Sequence, residues 1–288
     1  MDIGVLSDIH GNYVALQSCL SFLLRKNIRK FIFLGDYAGE LAYPEKTMQI
    51  LYDMDKQYEC YFVRGNKEDY WLNYRLAGEK GWKEGDSTTG SLLYTYRHLT
   101  GRDLSFFEAL QHAGKVTVKG KPDITICHGS PNKVNEKLLP DSQRIYEIMD
   151  MADTSVILCG HTHIQDRIEY GGKLVLNPGS VGVPLSSRGK SQFLILHDTA
   201  EGWSEEFCSL EYDVEKVIRE LYESGLDKMA PSWCRITENM LRKGNVSHGE
   251  VLNRAMELCR TETGECSWPD IPEIFWEKAV EENKEGGR

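Results

Sequence analysis

Short runs of consecutive apolar residues recur along the chain and alternate with stretches in which apolar residues return every three or four positions. The runs in the first 160 residues cover residues 3–6, 31–34, 58–63, 116–119, 123–127 and 156–159. Runs of this length are typical of strands buried on both faces, and the intervening spacing is typical of helices. The alternation predicts an α/β fold built from β-α units.

Most of the predicted helices fit this alternation of strands and helices, but one region does not. One helix follows Asn12, a residue type suited to cap it, and runs to about Lys26, while a second begins after Pro44. Residues 142–151 predict a further helix of the same kind. Residues 67–114 instead carry aromatic residues and leucines at helical spacing around a glycine-rich loop. They predict a helical insertion over the ends of the strands.

Later segments complete the strands and add a helical tail. Residues 167–176 and 192–210 each predict a pair of strands joined by a turn. Beyond Asp213 the pattern predicts three helices, near residues 214–224, 235–242 and 249–259. We therefore predict a main domain over residues 1–210, which contains the insertion, and a helical C-terminal extension over residues 211–288.

Composition narrows the class of protein. With 41% hydrophobic and 27% charged residues, the 288-residue chain matches an ordinary globular protein. No apolar run approaches the ~20 residues that span a bilayer, and no basic region followed by an apolar stretch opens the chain. We predict a cytoplasmic protein that does not bind membranes. The eight cysteines form no Cys-x-x-Cys pair and are expected to be reduced.

The formal net charge of −10 argues against general binding of nucleic acids, which normally requires a basic face. An anionic substrate can still bind where metal ions reverse the charge locally.

Seven polar residues stand directly after the predicted strands: Asp8, His10, Asp36, Asn66, His128, His161 and His163. Ligands of open α/β sheets bind at the carboxyl ends of the strands, so these side chains are expected to converge. Carboxylate oxygen together with imidazole nitrogen suits a divalent transition metal, and seven donors exceed the needs of one tetrahedral ion. They match two ions about 3.5–4 Å apart with one bridging carboxylate. Asn66 as a helix cap and His128 as a core histidine remain alternatives.

Most of these residues belong to short motifs, which are Asp8-x-His10, Gly35-Asp36, Gly65-Asn66 and Gly160-His161-x-His163. With His128 at a strand end, the pattern resembles the calcineurin-like metallophosphoesterases over about residues 1–210. The resemblance implies a four-layer α/β/β/α sandwich that hydrolyses phosphoester or phosphoanhydride bonds by attack of a metal-bound hydroxide. Residues 35–39, 128–131 and 177–182 are similar to a small bacterial branch that includes phosphodiesterases and some dinucleoside-polyphosphate hydrolases.

The resemblance also implies a ligand set and two metal ions, with Mn²⁺ expected first and Fe, Zn, Ni or Co as alternatives. One ion is assigned to Asp8, His10, Asp36 and His163. The other is assigned to Asp36, Asn66, His128 and His161. Asp36 is therefore the expected bridge.

One departure from the family pattern concerns Lys67, which stands where the protein-phosphatase branch has a histidine that helps protonate the leaving group. The Asp-Arg-Gly motif of that branch is also absent after Gly35. A phosphodiesterase is therefore favoured, with a phosphomonoesterase or protein phosphatase as the alternative. Lys67 is a candidate to contact substrate or to be a solvated lysine, while Arg64 and Arg188 are candidate phosphate clamps or structural ion-pair partners.

The remaining expectations concern partners. The substrate is expected to be small and phosphorylated, with nucleotides among the candidates, and Tyr70, Trp71, Tyr74 and Trp82 are candidates either to stack on a base or to pack the insertion. The C-terminal helices are candidates for forming a homo-oligomer. A non-catalytic binding scaffold with the same fold is the rival from another class, although such scaffolds typically lose metal ligands.

Overall fold

Within residues 2–285, which a computed structural model describes, ten strands form two five-stranded sheets. In chain order the strands are β1 (Ile3–Leu6), β2 (Lys30–Phe33), β3 (Glu59–Phe62), β4 (Ala113–Val116), β5 (Ile124–Cys127), β6 (Val156–Leu158), β7 (Gln165–Tyr170), β8 (Lys173–Pro178), β9 (Ser191–Thr199) and β10 (Gly202–Leu210). The first sheet has the order β10-β9-β1-β2-β3 and the second the order β4-β5-β6-β8-β7. The neighbouring strands β1, β2 and β3 are parallel, as are β5, β6 and β8.

The helices in chain order are α1 (Tyr13–Arg25), α2 (Pro44–Gln57), α3 (Asn66–Leu76), α4 (Gly90–His98), α5 (Gly101–Ala109), α6 (Gln143–Met151), α7 (Val214–Glu223), α8 (Leu226–Met229), α9 (Pro231–Lys243), α10 (His248–Thr263) and α11 (Glu273–Glu285). The side chain of Asn12 accepts a hydrogen bond from the backbone of Ala15 and so caps α1. None of the described helices is both long and apolar enough to cross a bilayer.

Three apolar clusters arrange these elements in four layers. Between the sheets, Val5 and Ile32 of the first sheet meet Ile126 and Leu158 of the second. The outer face of the first sheet is covered by α1 and α2, and that of the second by α6, whose Ile145 packs with strand residues. The α/β class and the four-layer arrangement predicted from the sequence are therefore confirmed.

One predicted strand is displaced. The apolar run suggested a strand at residues 116–119, whereas β4 occupies Ala113–Val116 and pairs with β5 in antiparallel register. The chain turns immediately afterwards, because Lys121 donates to the carbonyl of Val118 and Gly120 has a left-handed backbone with φ of +79°. Val118 still packs between the sheets, which explains its apolar character.

The C-terminal helices pack against both the sandwich and the insertion. Leu221 and Leu241 share an apolar cluster with Tyr13 of α1. Trp276 of α11 donates through Nε1 to the hydroxyl of Thr88 in the insertion, at 2.8 Å. The last strand ends at Leu210 and α7 begins at Val214, while residues 286–288 of the predicted extension lie outside the described range. Division of the chain into two domains stays a prediction.

Candidate metal centre

The carboxyl ends of β1, β2, β3, β5 and β6 deliver the seven predicted ligands to one edge of the two sheets. Two groups have potential ligand atoms that all lie within 4.8 Å of one another. The first group consists of Asp8, His10 and His163, and the second of Asp8, Asp36 and His128. Since Asp8 belongs to both groups, the two candidate metal positions are adjacent.

The distances place the two carboxylates between the imidazole rings. Oδ1 of Asp8 lies 3.2 Å from Nε2 of His163, 3.7 Å from Nε2 of His10 and 3.9 Å from Nε2 of His128. Oδ2 of Asp36 lies 3.7 Å from Nε2 of His10 and 3.5 Å from Nε2 of His128. Both carboxylates are therefore in a position to bridge two cations.

The backbone at these positions is unusual. Five of the seven predicted ligands have φ between 51° and 67°, and they are Asp8, His10, Asp36, His161 and His163. This left-handed conformation is sparsely populated by residues other than glycine and costs about 1–3 kcal/mol each. The surrounding fold maintains it through hydrogen bonds such as that from the backbone of His10 to the carbonyl of Asp36, at 2.9 Å.

Hydrogen bonds also fix the orientation of three imidazole rings through their Nδ1 atoms. Nδ1 of His128 lies 2.7 Å from the carbonyl of Leu34, and Nδ1 of His163 lies 3.1 Å from that of Val183. Nδ1 of His10 lies 2.5 Å from Oε2 of Glu40. Because a carbonyl can only accept, Nδ1 carries the proton in His128 and His163. Their Nε2 atoms then present lone pairs to the centre when the rings are neutral, as in metal-ligating histidines.

The outer oxygen of each aspartate is likewise held by donors. Oδ2 of Asp8 accepts from the hydroxyl of Ser7 at 2.5 Å and from the backbone of His161 at 3.0 Å. Oδ1 of Asp36 accepts from the backbone of Lys67 at 2.8 Å. The inner oxygen of Asp8 is buried without a hydrogen-bond partner among the described residues. A buried anionic oxygen beside three imidazole nitrogens fits a bound cation.

Electrostatics support the same interpretation. Burial alone would raise the pKa of Asp8, but the imidazoles of His163 and His10 hold it well below its usual range. Burial opposes charge on His10, yet the carboxylate of Glu40 raises its pKa to about 10, and Asp36 similarly raises the pKa of His128 to about 9. The buried carboxylates therefore require positive charge, which either protons on the imidazoles or metal cations can provide.

The remaining two predicted ligands border the centre. Oδ1 of Asn66 lies 3.1 Å from Nε2 of His128 and is placed to join the second group. The ring of His161 lies beside that of His128, with centroids 5.2 Å apart, but its nitrogens belong to neither group of closely spaced ligand atoms. Burial lowers the pKa of His161 to about 4, so this ring is neutral at physiological pH.

Two motif glycines are explained by close approach. A Cβ on Gly160 would lie 2.0 Å from Oγ of Ser7 and 2.6 Å from Oδ2 of Asp8. A Cβ on Gly65 would lie 2.1 Å from Oδ1 of Asp36. All three distances are shorter than real contacts, so only glycine lets these two loops approach the aspartates.

Glu40 is a site residue that the sequence analysis missed. Its carboxylate is 3% exposed and is bound on both sides, with Oε2 at 2.5 Å from His10 and Oε1 at 2.5 Å from Nζ of Lys67. Burial would raise its pKa, but His10 and Lys67 lower it well below the usual range. Glu40 therefore orients one candidate ligand and holds the lysine. The only local signal was a charged residue in the otherwise apolar segment 37–42.

Lys67 is thus not a solvated surface lysine, which was the alternative to contact with substrate. Burial disfavours its charge, but Glu40 outweighs burial and raises the pKa, so the ammonium stays charged.

Glu68 is a second residue at the site that the sequence analysis missed. Its carboxylate accepts hydrogen bonds from the backbone of Asp36, Tyr37 and Gly65, at 3.0, 2.9 and 2.8 Å. Its position at the third residue of α3 was the available signal, since a glutamate there often caps the helix.

The segment 177–182 supports the centre from outside. Asn177 donates through Nδ2 to the carbonyl of Gly160 at 2.7 Å, and the hydroxyl of Ser180 donates to the carbonyl of Asp8 at 2.7 Å. These bonds tie the loops that carry the first and last ligands. The segment 177–182 therefore has a structural role, in addition to its similarity to a branch of the family.

The two candidate arginines are placed differently. Arg64 pairs with Asp69 at 3.0 Å and donates to Nε2 of His112 at 3.1 Å. These contacts match the structural alternative for Arg64. Arg188 is exposed in the loop between β8 and β9 and has no salt bridge with another described residue. A phosphate-binding role stays a prediction for both.

Comparison with known proteins identifies the family. Residues 1–202 match the calcineurin-like phosphoesterase superfamily domain, which is more than half of the 288 residues. The chain therefore belongs to this superfamily, and the family inferred from the strand-end motifs is confirmed.

Individual relatives extend the comparison. The chain is 26% identical over 249 residues to an uncharacterised protein of Methanocaldococcus jannaschii, which covers 80% of this chain and 94% of the relative. It is similar to the crystal structure of a hypothetical protein from Pyrococcus horikoshii, with 22% identity, a TM-score of 0.72, and coverage of 85% and 99%. A metallophosphoesterase from Sphaerobacter thermophilus gives 20% identity, a TM-score of 0.63, and coverage of 80% and 98%. At these identities the two structures establish a shared fold.

Proposed function

We propose that this protein is a metal-dependent phosphoesterase that hydrolyses phosphodiester or phosphoanhydride bonds in a small substrate, with nucleotides among the candidates. One observation carries the proposal. The inner oxygen of Asp8 is buried without a hydrogen-bond partner among the described residues, and it lies 3.2–3.9 Å from three imidazole nitrogens. Such an oxygen is suited to bind two cations at once.

Two divalent transition-metal ions fit the donor set, with Mn²⁺ first and Fe, Zn, Ni or Co as alternatives. When bound, such ions lower the pKa of a bound water and offset the negative charge of phosphoryl oxygens. Asp8, His10 and His163 would hold one ion and Asp36, Asn66 and His128 the other, with His161 beside the second. Either Asp8 or Asp36 would bridge them, and we retain Asp36 as the first choice.

The side chains of this protein would contribute orientation and fixed charge. Glu40 holds the ring of His10 through Nδ1 and keeps the ammonium of Lys67 next to the centre. Lys67 would bind a non-reacting phosphoryl oxygen, because an ammonium is a strong donor to phosphate. Together with the cations, it would attract an anionic substrate in spite of the net charge of −10.

The test uses purified protein, metal analysis and three substrates with the same assay conditions. We expect close to two transition-metal ions per chain, loss of activity after chelation, and recovery with Mn²⁺. Bis(p-nitrophenyl) phosphate should be hydrolysed in preference to phosphoserine, and a dinucleoside polyphosphate tests the anhydride alternative. Full activity after exhaustive chelation would refute the metal mechanism, and preferred hydrolysis of phosphoserine would favour the phosphomonoesterase alternative.

A further inference from the structure

A small cavity lies where the insertion meets the C-terminal helices. Its volume is about 110 Å³, and four large aromatic side chains form much of its wall: Tyr70, Trp233, Trp268 and Trp276. We call it the aromatic cavity. Tyr70 belongs to α3 and Trp233 to α9, so the cavity exists only because the two regions pack together.

The aromatic cavity has an open side and a closed side. Tyr70 and Trp268 are 37% and 44% exposed, and their rings stack with centroids 6.0 Å apart and planes inclined by 29°. Trp233 and Trp276 are buried behind them. Two large aromatic side chains are thus held at the surface beside a recess, which favours entry of a flat apolar group.

Four side chains besides the indoles bring polar groups to this wall: Lys67, Tyr70, Thr88 and Ser91. The Nε1 atom of Trp276 donates to Thr88, whereas the Nε1 atom of Trp233 is buried without a hydrogen-bond partner among the described residues. Trp233 is only 9% exposed, so an unpaired donor there is costly. An apolar recess with a few polar groups is typical of sites for small ligands.

Lys67 connects the aromatic cavity to the metal centre. Its ammonium lies 5.7 Å from the ring of Trp233 and 5.9 Å from the ring of Tyr70. The same ammonium lies 2.5 Å from Oε1 of Glu40, which holds His10. A chain of contacts therefore runs from the aromatic cavity through Lys67 and Glu40 to His10 of the metal centre.

We propose that the aromatic cavity binds a single aromatic ring carried by the phosphate ester on which the centre acts, such as a phenyl group or a pyrimidine. The volume limits the size of the group, since an enclosed cavity of roughly 150 Å³ binds benzene. The aromatic cavity has about 110 Å³ and an open side, so it admits at most one ring, part of which stays in the opening. Trp233 and Lys67 provide a donor and a cation near the ring. This proposal rests on the proposed function, because the phosphate must be held at the metal centre.

The experiment measures binding and does not depend on turnover. Calorimetric titration of the Mn²⁺-loaded full chain compares methylphosphonate, phenylphosphonate and 1-naphthylphosphonate, which share the phosphonate and differ in the attached group. We expect phenylphosphonate to bind at least 10-fold more tightly than methylphosphonate, equivalent to about 1.4 kcal/mol. The naphthyl compound should bind less tightly than the phenyl compound because of its size.

Variants locate the preference. Trp268→Ala and Tyr70→Ala should each reduce the phenyl-to-methyl ratio at least 3-fold and leave methylphosphonate binding unchanged. Tyr170→Ala is the matched control, since Tyr170 of β7 is 43% exposed and packs on Tyr146 of α6, in the second sheet's layer and not in the cavity wall. Melting temperatures check that each variant is folded. If one of the two variants does not fold, the other still tests the proposal.

The outcomes separate the two proposals. Equal binding of the methyl and phenyl compounds, or a phenyl preference that survives both variants, overturns the aromatic cavity and leaves the phosphoesterase proposal standing. Naphthyl binding as tight as phenyl binding overturns the single-ring limit. No binding of any phosphonate to the metal-loaded chain overturns both proposals.

Discussion

Lys67 contacts Glu40 beside the metal centre and also borders the aromatic cavity, and these two regions are built in opposite ways. At the metal centre, five side chains each have one atom fixed by a hydrogen bond and another turned inward, and they are Asp8, His10, Asp36, His128 and His163. In the aromatic cavity, large rings from α3, α9, α11 and the segment before α11 are placed by apolar packing. The first arrangement fixes individual atoms, whereas the second fixes a volume.

This difference predicts how substitutions act. A change at the metal centre removes a charge or a donor and should alter metal binding and turnover with little effect on substrate preference. A change around the aromatic cavity should alter selectivity or stability and leave the centre intact. The following predictions test that division, from the largest expected effect to the smallest.

The largest effect is expected for Asp36→Asn. Its carboxylate lies between His10 and His128, so loss of its charge should weaken both metal positions. We expect kcat/KM to fall at least ~100-fold, which exceeds the loss typical of mutating a residue that only orients a metal ligand. Metal analysis and diester hydrolysis measure this. The control is Asp55→Asn on the exposed side of α2. Near wild-type metal content and turnover in Asp36→Asn would refute its bridging role, and a greater loss in Asp8→Asn would transfer that role to Asp8.

The convergence of these side chains could be predicted from the sequence because each of them follows a strand, and the topology of an α/β sheet brings strand ends together; their role as metal ligands stays a prediction. His10 and His128 needed only their local motif and their place in the chain. The left-handed backbone at five of these positions was not predictable, since it depends on loops from elsewhere that bond to them. Glu40 was missed for the same reason, as its partners His10 and Lys67 lie 30 and 27 positions away.

The C-terminal helices show where such prediction ends. Amphipathic spacing indicated three helices after residue 213, but not α8 or α11, and nothing in the pattern indicated that Trp233 would reach Lys67. Of the aromatic residues considered for base stacking, Tyr70 borders the aromatic cavity. Tyr74 instead stacks on Trp82, with ring centroids 3.8 Å apart, and Trp71 is buried. Packing between distant segments decides these roles.

The second prediction concerns Glu40→Gln, which keeps a hydrogen-bonding side chain and removes the charge. Since Glu40 orients His10 and holds Lys67, metal affinity or turnover should fall about 10–100-fold, as for other residues that orient metal ligands. Metal titration and kcat/KM for the diester measure it. Glu45→Gln, an exposed glutamate in the first turn of α2, is the control. Unchanged metal affinity and turnover would mean that Glu40 is only a packing residue.

The third prediction concerns Lys67. A lysine with the usual pKa of about 10.4 is already a poor proton donor at neutral pH, and Glu40 raises the pKa of Lys67 further. Alkyl phosphomonoesters, which need protonation of the leaving group, should react at least ~10-fold more slowly than nitrophenyl diesters, or about 1.4 kcal/mol in the barrier. Lys67→His should narrow this gap by raising alkyl-monoester turnover. An unchanged ratio of kcat/KM values in Lys67→His would remove Lys67 from the selection of leaving groups.

The smallest effect on turnover is expected at His248, in the C-terminal helices, where the change falls on stability. Its ring stacks on Trp233 with centroids 4.0 Å apart. The hydroxyl of Thr237 donates to the carbonyl of Trp233, so it accepts from Nε2 of His248 at 2.8 Å. Burial lowers the pKa of His248 to about 3, against about 6.5 in an unfolded chain. Between these values the unfolded chain binds one proton more than the folded chain does.

Stability contributed by neutral His248 should therefore be present above pH 6.5 and be lost as the pH falls towards 3. At about 1.4 kcal/mol per pH unit, the loss between pH 6.5 and 5 is at most about 2 kcal/mol. Urea unfolding of wild type and His248→Gln at both pH values measures it, because the glutamine keeps a donor for Thr237 but does not titrate. We expect the variant to lose less stability on acidification than wild type, with diester turnover at pH 7 retained. Equal losses in the two proteins would mean that His248 does not titrate in this range, and a large fall in turnover would show that the C-terminal helices contribute to the metal centre itself.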